Sequence, residues 1–393
     1  MTAPADPGAT PLTERSPAPD LARGGMLLLI ALANAHTYLV ADGWRGYPAA
    51  LDAVDRVVVL LQMTLVDGRA YPLFALLFGY GVTQLAWRRS AAGLPAWRVE
   101  ALVRRRGAWM VLIGAVHAVL LFAGDIVGAY GLVAVVAAGA LVHGSERALR
   151  TTAAVGIGLG VLLGALAGIP GSPELAALRS TAAPDPAGAL VLRVVEWLAG
   201  GLGVQALSVF GMVALGAWAA RRRVLDDPGA HRALLGRVAA VGIAAGVLLG
   251  LPFALVAAEL WAAPPLGVAL ALSAVHTLGG CAAGAGYAAL FGLLALRGAA
   301  ERAVGRAVTA VGRRSLSCYL AQSVSFALLL PAWAVGLGSV ATVVQAALLA
   351  VGTWLVILLV AVVSDRAGYR GPAEVLLRRL TYGRPAGLHP GPA

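Results

Sequence analysis

The sequence contains no lysine, only two cysteines and few charged side chains of any kind. Charged residues make up 12% of its 393 residues, whereas hydrophobic residues make up 60%. Cys281 and Cys318 both lie in apolar runs, which argues against a disulfide framework. The sequence also lacks the GxxxxGK[ST], HExxH, paired CxxC and GxSxG motifs, so none of these soluble-enzyme signatures indicates its function.

What the sequence does contain is typical of a membrane protein. Several uncharged windows reach the roughly 20 apolar residues that a helix needs to cross a bilayer. The sequence therefore predicts an all-α polytopic membrane bundle of about ten transmembrane helices, within residues 21–364. The predicted spans are 23–40, 71–87, 107–123, 127–142, 151–169, 191–220, 238–258, 266–296, 315–331 and 340–363.

Three segments do not fit a full span. Residues 1–20 are rich in Pro, Ala and Asp, which predicts a disordered cytoplasmic tail. The apolar run between Val57 and Val66 is only about ten residues long, so a short interfacial helix is expected near 52–66. Residues 365–393 are expected to form a cytoplasmic tail with a short amphipathic helix.

The positive charge is carried by 30 arginines, which give a net charge of +11. With the amino terminus placed inside, 25 of them fall in loops on the inner side or in the two tails. This asymmetry follows the positive-inside rule and predicts cytoplasmic termini in a multi-pass protein of a cytoplasmic membrane. The arginines therefore indicate topology rather than a nucleic-acid site.

Two ionisable residues lie in the stretch "GAVHAVLLFAGDIVGAYG" (114–131). Such groups are costly in a membrane and usually face the bundle interior or a cavity. The topology places His117 in the outer half of its span and Asp125 at the extracytoplasmic turn. On a straight helix they would be about 12 Å and about 80° apart, so we expect no direct pair but a shared water-filled vestibule.

On the first span, Arg23 and Asn34 fall within about 20° of one another and roughly 16 Å apart along the axis. His36 points to nearly the opposite side, so Asn34 and His36 cannot face one cavity unless the helix unwinds. For His276, the neighbouring glycines favour a packing role over a functional one.

A polar cluster lies between the first two spans. Its members are Asp42, Arg45, Asp52, Asp55, Arg56, Asp67 and Arg69. One interpretation is a solvated loop with an ion pair such as Asp67 with Arg69. The other is a substrate-binding surface that includes His36, Asp67 and Arg69.

Several blocks resemble known families. "PDLARGGMLLLIALANAH" is similar to the D-x-x-R-G opening of membrane-bound acyltransferases, with Asp20, Arg23 and Gly24 in the matching places. Four blocks resemble the bacterial YeiB-like family, domain of unknown function 418: "FALLFGYG" (74–81), "GAVHAVLLFAGDIVGAYGLV" (114–133), "VGRRSLSCYLAQS" (311–323) and "YRGPAEVLLRRLTYG" (369–383). The sequence departs from the family pattern at Ser317 and Cys318, which replace Thr-Asn, and at Val375, which replaces an aromatic residue.

The resemblance implies a relative of the transmembrane acyltransferases. Such an enzyme would move an acyl group from cytoplasmic acyl-CoA, a co-substrate rather than a tightly bound cofactor, to an envelope glycan or lipid-linked hydroxyl. His117 is then expected to be the general base, Asp125 to orient it, Asn34 to donate to the oxyanion and Tyr130 to bind the acceptor. The expected ligands of the CoA phosphates are Arg23, Arg88, Arg89, Arg313 and Arg314.

Two other functions remain open from the sequence. In a transporter or channel without enzymatic activity, the same His and Asp would relay protons or line the route. In a scaffold, the short 52–66 helix would dock another envelope protein. The sequence predicts no metal site, and it leaves a homodimer open.

Overall fold

The structure, a computed structural model, describes residues 17–39 and 42–383, where every regular element is helical. The α-helices are α1 Pro17–Ala35, α2 Ala53–Leu65, α3 Ala70–Ala91, α4 Ala96–Leu120, α5 Val127–His143, α6 Glu146–Ala165, α7 Pro173–Ala177, α8 Pro186–Glu196, α9 Gly203–Arg221, α10 Arg232–Ala257, α11 Leu266–Leu296, α12 Ala303–Arg313, α13 Ser315–Leu329, α14 Val343–Arg366 and α15 Pro372–Tyr382.

Six helical stretches of the described chain are long and apolar enough to cross a membrane. They are Ala53–Ala91, Glu146–Gly168, Gly203–Arg221, Arg232–Ala257, Leu266–Leu296 and Val343–Arg366. Helices α5 and α13 are apolar but shorter. The predicted class, an all-helical multi-pass membrane protein, is thereby confirmed, whereas the count of about ten spans and the orientation stay predictions.

The long helices run between two ends of the bundle. We call one the arginine-rich end, where α1 begins and α3, α5, α9, α11 and α14 end; the other is the arginine-poor end. Ion pairs tie neighbouring helices at the arginine-rich end, for example Arg222 with Glu146 at 2.7 Å and Arg314 with Asp365 at 2.9 Å.

Glycine allows the helices to approach closely. A Cβ on Gly24 of α1 would lie 1.9 Å from the Val308 carbonyl oxygen, and one on Gly312 of α12 would lie 1.8 Å from that of Asp20. Side chains at either position would therefore push α1 and α12 apart. Small residues serve this purpose in membrane bundles, where lipid supplies little hydrophobic driving force for helix association.

The structure modifies several predicted boundaries. Helix α1 begins at Pro17, so residues 17–20 of the predicted disordered tail are helical, and residues 1–16 lie outside the described residues. The predicted span 191–220 is not one continuous α-helix: a π-helical turn at Trp197–Gly201 follows α8, and α9 starts at Gly203. Glycines in this segment lower the cost of breaking the helix there.

The short helix expected near 52–66 is α2, whose exposed side carries Val54, Val57 and Leu61. Gly68, with a φ of 77°, lies in the turn between α2 and α3. The left-handed conformation suits glycine, and here it turns the chain into the bundle. The amphipathic helix expected in the carboxyl-terminal tail corresponds to α15.

Candidate functional site

The structure pairs His117 directly with Asp125. Nδ1 of His117 lies 2.8 Å from Oδ1 of Asp125, and both side chains are buried. The expectation of two separated groups in a water-filled vestibule is therefore wrong. It extended one straight helix through both residues, whereas α4 ends at Leu120 and the following turn carries Asp125 back toward His117.

The second carboxylate oxygen of Asp125 is also engaged. Oδ2 accepts the backbone N–H of Gly128, at 2.6 Å, in the first turn of α5. Asp125 thus satisfies an otherwise free amide at a helix amino terminus, where negative charge is favoured. The carboxylate is held between the start of one helix and the imidazole of another.

Gly114 makes room for this arrangement. A Cβ at this position would lie 2.4 Å from Oδ2 of Asp125 and 2.3 Å from the backbone nitrogen of Gly128. Such separations are too short for a carbon atom, so any side chain would displace the Asp125 carboxylate or the start of α5. The glycine therefore allows the His117–Asp125 pair to form.

The other ring nitrogen of His117 has no partner. Nε2 is buried and makes no hydrogen bond among the described residues. If Nδ1 donates its proton to Asp125, Nε2 presents a free lone pair, which is the form a general base requires. Tyr319 of α13 lies beside the imidazole, with ring centroids 5.0 Å apart, and its buried hydroxyl lies near the Ile126 amide but donates to no described group.

Two residues expected at this site have other surroundings. Tyr130 donates its hydroxyl to the Tyr71 carbonyl at 3.0 Å and stacks on Phe78, which leaves the hydroxyl hydrogen less free to bind an acceptor. Asn34 is half-buried in the last turn of α1, and no hydrogen bond joins it to His117 or Asp125. The sequence predicted neither the position of Tyr319 beside His117 nor the hydrogen bond from Tyr130 to the Tyr71 carbonyl.

A second polar cluster surrounds Arg69 near the arginine-poor end. The Arg69 side chain is fully buried, and its guanidinium donates to the carbonyls of Asp67 and Gly246 and, at 2.8 Å, to Nε2 of His276. The solvated-loop interpretation is therefore wrong for Asp67 and Arg69. Arg69 bonds the backbone of Asp67 rather than its carboxylate, so the suggested ion pair is also wrong.

Tyr47 connects this cluster to the end of α1. Its hydroxyl donates to Oδ2 of Asp67 at 2.6 Å, and its ring stacks on His36 with a centroid distance of 4.1 Å. Burial, together with the nearby Asp67 carboxylate, raises the pKa of Tyr47 well above its usual range, so the hydroxyl stays protonated and keeps donating. His36 and Asp67, both predicted to bind substrate, thus lie in one packed network.

At the arginine-rich end, the five predicted CoA ligands differ in their surroundings. Arg313 and Arg314 are paired with Asp365, and Arg314 also donates to the Tyr369 and Ala310 carbonyls. Arg89 is buried with its guanidinium over the Tyr382 ring, and Arg88 is exposed. Arg23 is half-buried and pairs with Asp20 at 2.9 Å.

Arg106 is a residue that the sequence reasoning overlooked. It is half-buried on α4 and lies close enough to Arg23, Tyr382 and Glu374 to interact with them electrostatically. Arg106 and Arg23 contribute positive charge here and Glu374 negative charge, and no hydrogen bond among the described residues occupies the Arg106 guanidinium. The spacing of Arg106 from His117 could have identified it from the sequence. A separation of 11 residues places both on one face of α4, about 20° apart.

Comparison with known proteins identifies one family on part of the chain. Residues 219–384 match the family described as Protein of unknown function (DUF418). The match includes the blocks at 311–323 and 369–383 and supports the resemblance to domain of unknown function 418 there, whereas the blocks at 74–81 and 114–133 lie outside it. No curated protein matches the chain.

Proposed function

We propose that this chain is a membrane-bound O-acyltransferase that moves an acyl group from acyl-CoA to a hydroxyl of a cell-envelope glycan or lipid-linked acceptor. The observation that carries the proposal is the buried His117–Asp125 pair with its unoccupied Nε2. An imidazole oriented by a carboxylate through one nitrogen, with the other free, is the arrangement of a general base that activates a hydroxyl.

The reaction assigns one role to each group. Nε2 of His117 takes the proton of the acceptor hydroxyl as its oxygen attacks the thioester carbonyl carbon. Asp125 stabilises the resulting imidazolium. The carbon–sulfur bond then breaks, and the imidazolium returns the proton to the sulfur of CoA. Tyr319, whose buried hydroxyl donates to no described group, is proposed to donate to the oxyanion, the role that the sequence assigned to Asn34.

Arg106 and Arg23 are proposed to bind the phosphates of CoA. Arg106 lies on the same face of α4 as His117 and about 16 Å from it along the axis, toward the arginine-rich end. An extended CoA arm bound between these residues would bring the thioester toward the imidazole. Arg313 and Arg314 support the structure instead, because Asp365 and backbone carbonyls already occupy them.

This mechanism places the arginine-rich end in the cytoplasm of a bacterial inner membrane, in agreement with the positive-inside rule. CoA phosphates would enter from that side. The acceptor would reach His117 from the arginine-poor end, which faces the cell envelope.

The test uses the full chain in proteoliposomes, with acetyl-CoA labelled in its acyl group and a bacterial envelope fraction as acceptor. His117→Gln keeps a polar side chain but removes the base, so transfer should fall by about a hundredfold or more. His143→Gln, an exposed histidine at the other end of the bundle, is the matched control and should transfer normally. Full transfer by His117→Gln would refute the proposal.

The second candidate function is transport, which the buried Arg69–His276 contact favours. Ionisable residues inside membrane bundles often mark ion or proton pathways. Proteoliposomes loaded with a pH-sensitive dye distinguish the two functions. Proton or ion flux without acyl transfer, lost in His276→Asn, would support transport instead.

A further inference from the structure

A cavity of about 490 Å³ opens at the arginine-poor end, away from the His117–Asp125 pair. The loop after α1, the turn after α6 and the segment after α10 form its walls. Two tryptophans and two carboxylates stand out among its lining residues: Trp44, Trp261, Asp42 and Glu259. Its volume lies within the range of small-molecule sites.

The walls are held in place by the protein itself. Trp44 packs edge-on against Phe253, with centroids 6.0 Å apart and an interplanar angle of 81°. The Gly171 amide donates to the Gly43 carbonyl at 3.1 Å, which joins two of the wall segments. Trp261, by contrast, is 55% exposed and lines the cavity.

Glu259 lies just after α10 in a left-handed conformation, with a φ of 54°. This conformation is uncommon for a residue with a side chain, and strain of this kind collects at ligand sites. One carboxylate oxygen, Oε2, accepts a hydrogen bond from Nη2 of Arg56 at 3.2 Å. The carboxylate therefore remains an acceptor but is largely neutralised.

Asp42 is oriented by the chain in a similar way. Its Oδ1 accepts the Ala49 amide at 2.9 Å, which leaves the other carboxylate oxygen available. The surroundings therefore disfavour an anion, because both carboxylates line the cavity, while Arg56 offsets part of the charge of Glu259 and leaves less net charge to hold a cation.

We propose that this cavity binds a neutral sugar unit. Sugar hydroxyls donate to carboxylate oxygens, and the apolar face of a pyranose ring packs on an indole. A pair of carboxylates and a pair of tryptophans in one preformed cavity offers both kinds of contact. The inference rests on the proposed function in one respect: the bound sugar belongs to the acceptor of the acyl group.

The site is connected to the His117 region through packed side chains. The loop of Trp44 continues to Tyr47, which stacks on His36. Two residues further, Tyr38 donates to the Leu121 carbonyl, one turn beyond His117. A longer glycan held in the cavity by one sugar unit could thus extend across this end of the bundle toward His117.

The experiment uses the full chain in nanodiscs prepared without a sugar-based detergent, because such a detergent would compete. Saturation-transfer NMR compares neutral tetrasaccharides of glucose, mannose, galactose and N-acetylglucosamine with an oligomer of galacturonic acid and with choline. We expect saturable binding of at least one neutral sugar and none of the acid or the cation. No saturable neutral sugar, or stronger binding of choline, would overturn the inference.

Substitutions of cavity residues test whether the neutral sugar binds in the cavity. Trp261→Ala should weaken binding about fivefold or more, and Glu259→Gln should weaken it too, because a neutral amide is a poorer acceptor than a carboxylate. Trp97→Ala removes a similarly exposed tryptophan at the arginine-rich end and should bind as the original protein does. Unchanged binding in both cavity variants would place the sugar elsewhere.

The sugar inference and the proposed function can fail separately. His117→Gln should keep sugar binding while it loses transfer. If the protein transfers acyl groups and the Trp261→Ala and Glu259→Gln variants transfer equally well, the sugar site is wrong but the acyltransferase stands. If a neutral sugar binds in the cavity but no acyl group is transferred, the acyltransferase proposal is wrong and the sugar site stands.

Discussion

Nδ1 of His117 and Oδ1 of Asp125 lie 2.8 Å apart although the two residues are eight positions apart in the chain. The contact exists because α4 ends between them, so that the turn folds the carboxylate back onto the imidazole. The pair is buried, and its geometry depends on the close approach of α4 and α5. The predictions below test what the pair does and what holds it.

Asp125→Asn should reduce acyl transfer by about a hundredfold or more, because a neutral amide cannot stabilise the imidazolium and can select the wrong tautomer of His117. Transfer of labelled acyl groups in proteoliposomes measures the effect. Asp227→Asn changes an exposed aspartate at the arginine-rich end and should have none. Equal rates for the two variants would remove Asp125 from the mechanism.

Gly114→Ala should disrupt the pair sterically, because the added methyl group would lie 2.4 Å from Oδ2 of Asp125. We expect a lower midpoint of thermal unfolding and a large loss of transfer. Gly158→Ala is the matched control, since a Cβ on that helical glycine meets nothing within 4 Å. Alanine there should leave stability unchanged or raise it by about 0.5–1 kcal/mol. Similar behaviour of the two variants would contradict the close packing of α4 and α5.

Tyr319→Phe should separate stability from activity. The hydroxyl donates to no described group and has only the Ile126 amide beside it, so its loss should change thermal stability little. If the hydroxyl donates to the oxyanion, transfer should still fall by about tenfold or more. Tyr287→Phe offers the contrast, because its hydroxyl donates to the Leu65 carbonyl at 2.9 Å and its loss should reduce stability. Unchanged transfer in Tyr319→Phe would leave Tyr319 with a packing role.

Arg106→Gln should raise the KM for acyl-CoA about tenfold or more, because charge-assisted hydrogen bonds to phosphate would be lost. The kcat should change little, since Arg106 lies far from the reacting atoms. Arg104→Gln, on an exposed part of the same helix where Arg104 pairs with Glu100, should leave the KM unchanged. A normal KM for Arg106→Gln would mean that CoA binds elsewhere.

Arg69→Leu should lower the free energy of unfolding by about 2 kcal/mol or more, because two buried carbonyls and His276 would lose their donor. Thermal unfolding in detergent, followed by intrinsic fluorescence, measures the loss. Arg232→Leu alters an exposed arginine at the start of α10 and should have a much smaller effect. Equal stability of the two variants would show that the Arg69 network contributes little to folding.

Composition and charge were sufficient to predict the class of the protein. Long uncharged windows cannot be stable outside an apolar environment, so they predicted a helical membrane bundle. The short run between Val57 and Val66 likewise predicted the separate helix α2. The blocks at 311–323 and 369–383 led to the family that residues 219–384 match. These properties depend on local sequence alone, which is why they could be predicted.

Other features were decided only by the tertiary structure. Helical periodicity relates residues only while one helix continues, so it could not bring Asp125 to His117 across the turn after Leu120. Nor could it show that Arg69 would be buried, because its partners Gly246 and His276 come from distant parts of the chain. The sequence supplied His117 and Asp125 of the candidate site, but neither Tyr319 nor Arg106. Helix ends and close glycine contacts determined which of them meet, because contacts between separate helices depend on how the whole bundle packs.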